Sequence, residues 1–427
     1  MKLDASMRRN TRDFGMCQAC GNMRAADRTC AAPDRARRRY ERGAESLKVA
    51  ILAFGVAAAA AHGSAVMAAD GVLDGSDWSP LGSGIAASAP NSVQAVMPYG
   101  DALIVAGTFQ NAGGGAAINI AAWDGIGWSS LGEGVIGGGA VALGVYDGEL
   151  YVGGLFHTAG GAPASRIAKW NGTEWSALGD GADAAVRAMI VYEGELIVGG
   201  EFSTIGGVAA QRIAKWNGVA WSPLGGGVTD AVYAGTVESL AVYQNELIVG
   251  GLFDHAGGVP ANSVARWNGS GWTALGAGVN GETFNRHVYA LSVHQDALYA
   301  GGSFSVAGGA PANRIARWDG MAWSSLGDGL DGAVRSIATY GGQLAAGGVF
   351  HNAGGEPAGR IARWDGNGWS TFGTGMDDTV SSLALFQGQL IAGGLFTQAG
   401  GAEANYVAAW GEVRPDPVFS SGFDPLP

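Results

Sequence analysis

Short apolar stretches separated by Gly, Asn and Asp recur along the whole chain after residue 69. In one representative segment these stretches are 186–192, 195–200, 212–216 and 220–224. Each is short and rich in β-branched or aromatic side chains, which is typical of β-strands bounded by turns. No helical 3.6-residue periodicity is found past Ala69, so the pattern predicts an all-β protein.

The aromatic residues show that these four stretches form one repeating unit. All 14 tryptophans fall into two series, whose members are paired five residues apart, as in Trp170 and Trp175. Seven phenylalanines keep the same register, each 14 residues before a tryptophan, as Phe202 is before Trp216. Four antiparallel strands repeating every ~46 residues are typical of a β-propeller blade. An array of β-sandwiches is the alternative that this period disfavours.

The two ends of the repeat array predict a closed ring of seven blades. The last repeat loses the pattern after Trp410, before its fourth strand, and the segment 74–82 around Trp78 supplies that missing strand. Joining the two segments in one blade would remove the exposed edges of an open sheet. We therefore predict a seven-bladed β-propeller over residues 69–411, followed by a C-terminal tail at 412–427.

The turn residues predict tight connections at two places in each blade. Strands one and two are joined by pairs such as Asp147-Gly148, and strands three and four by pairs such as Asn171-Gly172. Two-residue type I′ hairpins need positive φ at both central residues, which favours Asn-Gly and Asp-Gly. Both hairpins are therefore expected to be two-residue turns on one face of the ring, here called the hairpin face.

All variation in repeat length lies in the loops between blades. By strand parity these loops share a face with the loops between strands two and three, here called the insertion face. The two longest, 228–236 and 279–287, are adjacent, and loops on a rigid scaffold often hold function. The predicted ligand-binding residues there are Asp230, Tyr233, Glu282, Phe284, Asn285, Arg286 and His287.

These side chains suit a small ligand or a glycan at a channel mouth, because they combine tyrosine, arginine and carboxylate. The alternative, which the general variability of long loops favours, is that they are solvated and vary without selection.

Histidines and aspartates on the same face suggest two further sites. His157, His255 and His351 lie in alternate blades, too far apart to share one metal easily, so a hydrogen-bonding role is favoured. The pairs Asp180/Asp183 and Asp328/Asp331 could offer carboxylates to calcium, but they lack the dense ligand spacing of a calcium loop. Stabilisation of the turns is the favoured role. We expect no metal and no other cofactor, with calcium as the weaker alternative.

The N-terminal region has a different composition from the repeats. Residues 1–48 hold 12 of the 25 Lys and Arg residues, and an apolar run follows at 50–61. With Lys48 before it and Val66-Met67-Ala68 after it, this run predicts a signal peptide at 48–68, too short for a membrane span. A buried alanine-rich helix is the alternative. The protein is therefore expected in the periplasm, on the cell surface or outside the cell.

Residues 1–47 form an unusually long basic flank for a signal peptide. We hypothesise that translation begins near Leu47, so that this leader is not made; a tryptic peptide from residues 9–40 would refute this. The three cysteines Cys17, Cys20 and Cys30 all lie in the leader and lack a nearby fourth ligand for a metal. The exported chain therefore has no thiol.

Charge and motifs narrow the function further. From Ala69 onward 13 basic residues face 31 acidic ones, a formal net charge of −18, which argues against nucleic-acid binding. The chain has no His-Glu-x-x-His, Gly-x-Ser-x-Gly, Walker or Rossmann motif. No catalytic residue is predicted, and catalysis is not expected.

The repeat resembles bacterial secreted propellers of the kelch-like, galactose-oxidase-like superfamily. The residues that carry the resemblance are 150–156, 159–161, 315–320 and 323–327. The resemblance implies a propeller from Asp74 to Trp410, but not a copper oxidase, since that site needs a cysteine-linked tyrosine. The segment 417–424 resembles an ending found on gammaproteobacterial exported proteins, which implies a sorting or processing tag; a disordered end is the alternative.

Together these observations predict an exported recognition or adhesion module. It would bind a glycan, protein or small ligand through the insertion face, as a monomer with no membrane span in the mature chain. The alternative is a polysaccharide-active lyase or hydrolase that uses the same face.

Overall fold

Each repeat forms one four-stranded antiparallel sheet in a computed structural model of the protein, whose described residues are 77–86, 91–281 and 286–411. These residues belong to one compact unit, and they contain seven such sheets and no helix. The all-β prediction is confirmed. The predicted leader (1–47), signal peptide (48–68) and C-terminal tail (412–427) lie outside the described residues.

The blades are numbered 1 to 7 in the order of their first strands, which lie innermost. In blades 1 to 6 the four strands follow one another in chain order from the inside outward, whereas blade 7 takes its fourth strand from the N-terminal end of the described residues. The first strands are Ser92–Tyr99, Ala140–Tyr146, Val186–Tyr192, Thr236–Tyr243, Val288–His294, Val334–Tyr340 and Val380–Phe386. The second strands are Ala102–Thr108, Glu149–Gly154, Glu195–Gly200, Glu246–Leu252, Ala297–Gly302, Gln343–Gly348 and Gln389–Gly394. The third strands are Ile120–Trp123, Ile167–Trp170, Ile213–Trp216, Val264–Trp267, Ile315–Trp318, Ile361–Trp364 and Val407–Trp410. The fourth strands are Trp128–Ser130, Trp175–Ala177, Trp221–Pro223, Trp272–Ala274, Trp323–Ser325, Trp369–Thr371 and, for blade 7, Trp78–Pro80.

Blade 7 is built from both ends of the described chain. Its outermost strand, Trp78–Pro80, pairs with Val407–Trp410 in antiparallel register, with Trp78 opposite Trp410. Its innermost strand contacts the innermost strand of blade 1, Ser92–Tyr99. The ring is therefore joined at this blade by hydrogen bonds and packing instead of a covalent link.

The hydrophobic core lies between neighbouring blades. One buried cluster, for example, joins Tyr192 and Ile197 of blade 3 to Val237 and Phe253 of blade 4, and each of the seven buried clusters in the described residues spans two adjacent blades. The seven repeat phenylalanines are at most 2% exposed. Because burial of large apolar side chains is the main stabilising term in folding, the contacts between blades stabilise the ring.

The fourth-strand tryptophans add a hydrogen bond across each of these contacts. The indole N–H of Trp175 donates to the carbonyl oxygen of Leu131 in the preceding blade at 2.8 Å. Trp323 donates in the same way to Leu275 at 2.9 Å. The repeated Leu-Gly motif thus presents a backbone acceptor to the next blade.

The Gly-Gly pair that ends the second strand allows blades to approach closely. A Cβ atom placed on Gly199 would lie 2.3 Å from Cγ1 of Val237 in the next blade, and one on Gly200 would lie 2.1 Å from the carbonyl oxygen of Ala185. Any side chain at these two positions would collide with its neighbours. These glycines therefore serve packing, not turn formation.

The connection between the first and second strands is the predicted two-residue turn. In blade 2, Asp147 and Gly148 have φ angles of 51° and 76°, and the flanking residues Tyr146 and Glu149 pair in the ladder. Both central residues have the positive φ that a type I′ turn requires. The prediction for this hairpin is confirmed.

The connection between the third and fourth strands is longer, and the two-residue prediction was wrong there. Trp170 pairs with Trp175, which leaves a four-residue loop in which Gly172 has φ of 102° and Asn171 has negative φ. The side-chain Oδ1 of Asn171 accepts the backbone N–H groups of Thr173 and Glu174, both at 2.9 Å. Asn or Asp stands first in this loop because it forms an Asx turn, not because it tolerates positive φ.

Short strands tie the loops of the insertion face together. In blade 4, Val228–Thr229 of the blade-to-blade loop pairs with His255–Ala256 of the strand two–three loop. The other two-residue strands are Ile85–Ala86, Asn111–Ala112, Gly115–Ala116, Val135–Ile136, Thr158–Ala159, Ala162–Pro163, Thr204–Ile205, Val208–Ala209, Val259–Pro260, Val279–Asn280, Val306–Ala307, Ala310–Pro311, Asn352–Ala353, Glu356–Pro357, Gln398–Ala399 and Ala402–Glu403. The two loop classes therefore share a face, as strand parity predicts.

Every first strand carries a β-bulge near its insertion-face end. In blade 3, Val186 pairs with Gly200 and Ala188 pairs with Gly199, so that Arg187 is the extra residue. The same register shift occurs in each of the other described blades. The bulged residues, here called the axial ring, are Gln94, Val141, Arg187, Glu238, Tyr289, Arg335 and Ser381. A bulged residue is left out of the strand pairing and its side chain is re-aimed.

Candidate ligand site at the channel mouth

The axial ring lines a cavity on the axis of the propeller. This cavity has a volume of about 280 Å³, and all seven bulged residues contribute to its wall. Val349, Thr379 and Leu395, which lie in loops beside the strand ends, complete the wall. Because those loops belong to the insertion face, the cavity lies at the mouth of the channel on that face.

The chemistry of the axial ring is uneven around the axis. Blades 3 to 6 contribute Arg187, Glu238, Tyr289 and Arg335 in succession. The opposite wall is uncharged, with Val141 as its apolar member and Gln94 and Ser381 as its polar ones. The Phe and Trp positions that pack the blades carry the same residue in every repeat, whereas the bulged position carries different residues in different blades.

Arg187 is already neutralised by carboxylates of the protein. Its Nη2 lies 2.5 Å from Oε1 of Glu201, and its Nε lies 3.7 Å from Oε2 of Glu238. Burial disfavours the charged guanidinium, but Glu238 and Glu201 outweigh that effect and raise the pKa of Arg187. This arginine therefore links Glu238 of the cavity wall to Glu201, which lies outside that wall.

Glu238 is held where its charged form is disfavoured. Burial raises the pKa of Glu238 above its ordinary value, although the neighbouring Arg187 and Arg335 partly offset the shift. A carboxyl group in this environment takes up a proton at higher pH than an exposed one. Raised carboxyl pKa values are common at functional sites, and this one faces the cavity.

Tyr289 and Arg335 form a cation–π pair on the same wall. The guanidinium carbon of Arg335 lies 4.3 Å from the centre of the Tyr289 ring, within the range of a cation–π interaction. The His287 ring is nearly parallel to that of Tyr289, at 9°, with a centroid distance of 5.1 Å. Arg335 is exposed and, across the described ranges, forms no ion pair.

The two long loops predicted to hold the site are joined by a buried ion pair. Nη2 of Arg286, in the second loop, lies 2.5 Å from Oδ2 of Asp230 in the first. The Asp230 side chain is 0% exposed and that of Arg286 is 16% exposed. Oδ1 of Asp230 also accepts the backbone N–H groups of Val232 and Tyr233. Asp230 thus organises the loops from inside, and the structure does not place it on an open surface.

Of the other predicted site residues, the structure describes Tyr233 and His287. Tyr233 is half-buried beside Asp230, and His287 is half-buried against Tyr289, so it connects the second long loop to the axial ring. Glu282, Phe284 and Asn285 lie outside the described residues. Ligand contact by any of the seven predicted residues stays a prediction.

The three loop histidines each have a local partner. Nδ1 of His157 lies 3.1 Å from the carbonyl oxygen of Gly137, and Nδ1 of His255 lies 2.7 Å from Oδ1 of Asp254. Nη1 of Arg360 lies 3.2 Å from Nδ1 of His351. No group of three or more potential metal ligands occurs in the part of the chain that the structure describes. The hydrogen-bonding role is confirmed, and the need for no cofactor stays a prediction.

The aspartates considered for calcium instead brace the insertion-face loops. Asp183 accepts hydrogen bonds from the N–H and hydroxyl of Ser203 and from the N–H of Thr204. Burial alone would raise the pKa of Asp183, but these bonds outweigh it and lower that pKa. Asp331 is bonded in the same way to His351 and Asn352. The turn-stabilising interpretation is confirmed for these two residues.

The axial ring was missed in the sequence, although a signal for it exists there. In the alternating pattern of a first strand, Arg187 or Glu238 reads as an ordinary solvent-facing residue. The bulge that turns it to the axis cannot be seen in that pattern. Aligning the repeats would single out this position, since its neighbour Val186 recurs as Val or Ala while it differs in most blades.

Comparisons with known proteins identify the architecture alone. The chain matches no protein-family model and no curated protein. It is similar to the extracellular domain of a hybrid two-component system from B. thetaiotaomicron, with a TM-score of 0.54 and 10% identity over 78% of this chain and 39% of that one. It is also similar to the WD40 repeats of RRP9, with a TM-score of 0.50 and 12% identity over 78% of this chain and 97% of that one. At these identities the likeness shows the fold, and the protein is a β-propeller.

Proposed function

We propose that the protein is a recognition module that binds a ligand at the channel mouth of its insertion face. The observation that carries this proposal is the uneven axial ring. The fold accepts valine at this position, as Val141 in blade 2 shows, so packing does not require charge there. Burying a carboxylate such as Glu238 costs stability, which argues for a role of that charge in binding.

We also propose that the module is exported. The predicted signal peptide at 48–68 and the resemblance to secreted kelch-like propellers of bacteria support export, as does the extracellular location of one propeller neighbour. No helix among the described residues is long and apolar enough to span a membrane. Fusion of residues 1–68 to a phosphatase that is active only after export would test this, and an inactive fusion would refute it.

The ligand would be a glycan, a protein or a small molecule, and adhesion to a glycan surface is the version to test first. The mature chain, residues 69–427, would be applied to a glycan array alongside deletions of 229–233 and of 281–285. We expect binding that both deletions weaken, because they shorten the two long loops predicted to hold the site. A matched control is Val219→Thr, a change at a residue 84% exposed in a hairpin-face loop.

The results separate the placement of the site from the function itself. Binding that survives both deletions and Tyr289→Ala would refute the placement at the channel mouth. The absence of binding to any glycan on the array would refute the adhesion version of the proposal.

A polysaccharide-active lyase or hydrolase is the second candidate function, and Glu238 is the observation that favours it. A carboxyl group with a raised pKa beside a cavity is suited to act as a general acid. Incubation with neutral and acidic polysaccharides would reveal turnover, which Glu238→Gln should abolish if this candidate is right. Ligand binding without turnover would rule it out for those substrates.

A further inference from the structure

We infer that Arg335 recognises the carboxylate of a small hydroxylated ligand, such as a hexuronic acid, in the axial cavity. This inference rests on the proposed binding function and specifies its ligand class. It concerns the one wall of the cavity where a positive charge faces the open space.

The two arginines of the axial ring differ in their ion pairing. Arg187 has carboxylates of Glu201 and Glu238 within 4 Å, so its charge is used within the protein. Arg335 has no such partner among the described residues and is exposed at the cavity wall. An incoming anion would therefore meet Arg335 as its available cation.

The contact with Tyr289 holds Arg335 at the cavity wall. The guanidinium carbon lies 4.3 Å from the ring centre, within the range of a cation–π interaction. Arg335 is exposed, so its N–H donors are accessible from the cavity. Two parallel N–H donors match the two oxygens of a carboxylate, a geometry that lysine cannot supply.

The local charge balance favours a monoanion over a phosphate. Glu201 and Glu238 lie beside Arg187, and Glu238 also interacts with Arg335 over a longer distance, so two carboxyl groups limit how much negative charge the cavity can accept. A phosphate dianion would bring a second negative charge close to these carboxylates with no further arginine to balance it. A carboxylate places a single charge on Arg335.

The size and the opposite wall of the cavity indicate the rest of the ligand. A volume of about 280 Å³ lies just below the range of about 300–1,000 Å³ for small-molecule sites, which suits a single sugar ring. Gln94, Thr379 and Ser381 line the cavity with amide and hydroxyl groups, which can donate to and accept from ligand hydroxyls. A sugar acid presents both chemistries on one ring.

Calorimetric titration of the mature chain tests this inference. The probes are D-glucuronate and D-galacturonate, each compared with its neutral hexose, and a short oligogalacturonate that separates a free sugar from a chain end. We expect at least one uronate to bind about tenfold or more tightly than its hexose. Arg335→Gln should remove that preference, and Arg335→Lys should restore it only in part.

Arg317→Gln is the matched control, because it removes an arginine on a third strand outside the cavity and should leave uronate binding unchanged. Thermal unfolding of each variant shows whether it folds. Equal binding of uronate and hexose, no binding of either uronate, or a preference that survives in folded Arg335→Gln would each overturn the inference. In all three cases the glycan array still decides the proposed function, so the two failures are distinguishable.

Discussion

Trp78 donates its indole N–H to the carbonyl oxygen of Phe372 at 3.0 Å, across 294 positions of the chain. The same bond joins every pair of neighbouring blades described above, but here it links the start of the propeller to its end. Trp78 is only 5% exposed and also packs against Trp410, at a centroid distance of 5.3 Å. This one short strand therefore ties the N-terminal end of the propeller to blades 6 and 7.

Removal of the Trp78 side chain should destabilise the protein strongly. Trp78→Ala deletes a buried aromatic group and its hydrogen bond, and we expect a loss of about 3–5 kcal/mol in the free energy of unfolding. Trp128→Ala, at the equivalent position of blade 1 but less buried, should cost less. Denaturant unfolding of both variants gives the comparison, and an equal or smaller loss for Trp78→Ala would show that closure is not the weak point.

Adding a single methyl group at Gly199 should also destabilise the protein. The cause here is overpacking, whereas Trp78→Ala removes packed atoms. The added Cβ would lie 2.3 Å from Val237, so we expect Gly199→Ala to lower stability by about 1–3 kcal/mol through overpacking. Val237→Ala in the same chain should recover part of the loss. Gly271→Ala is the control, since nothing lies within 4 Å of that position; a similar loss there would contradict the packing explanation.

Loss of Arg286 should loosen the first long loop without unfolding the propeller. Arg286→Met leaves the fully buried carboxylate of Asp230 without its counter-ion, which is strongly unfavourable. We expect the backbone amides of Val232 and Tyr233, which donate to Asp230, to exchange faster with deuterium. Arg317→Met is the control, and unchanged exchange in Arg286→Met would show that the loop is held by other contacts.

The raised pKa of Glu238 predicts a pH dependence of stability. A carboxyl group whose pKa is higher in the folded state binds its proton more tightly there than in the unfolded chain. Stability therefore falls as the pH rises from the ordinary glutamate value, about 4.3, through the raised value in the folded protein. Below the ordinary value this penalty disappears.

Glu238→Gln provides the test, because glutamine does not titrate. The free energy of unfolding of the wild type minus that of the variant should decrease as the pH is raised from the acid side to neutrality. Denaturant titrations at several pH values measure this difference. A difference that stays constant or increases would mean that the Arg187 ion pair dominates over burial.

The strands and most of the turns could be predicted from the sequence because the same pattern of residues occurs in seven repeats. The spacing of Trp170 and Trp175 placed the third and fourth strands, and the lone segment around Trp78 indicated how the ring is joined. The turn at Asn171 was misjudged, since Asn-Gly suits two kinds of loop and the side-chain hydrogen bonds that choose between them are not visible in a residue pair.

The candidate site was only partly accessible from the sequence. The long loops around Asp230 and Arg286 were found by their length, which is a sequence property. Whether Asp230 faces a ligand or the loop interior depends on a partner 56 positions away, and no spacing rule gives that. The role of Arg335 is not visible in the sequence, because its contact with Tyr289 joins two different blades.

Because of the β-bulge in each first strand, the residues that line the channel are different from the residues that pack the blades together. A side chain such as Val237 must fit the neighbouring blade, so few substitutions are tolerated there. The extra residue beside it bears no ladder pairing and can change without disturbing the register. Seven such positions surround one axis, each open to independent replacement. The scaffold can thus acquire a new binding specificity through single changes in one blade at a time, while the contacts that keep it folded stay as they are.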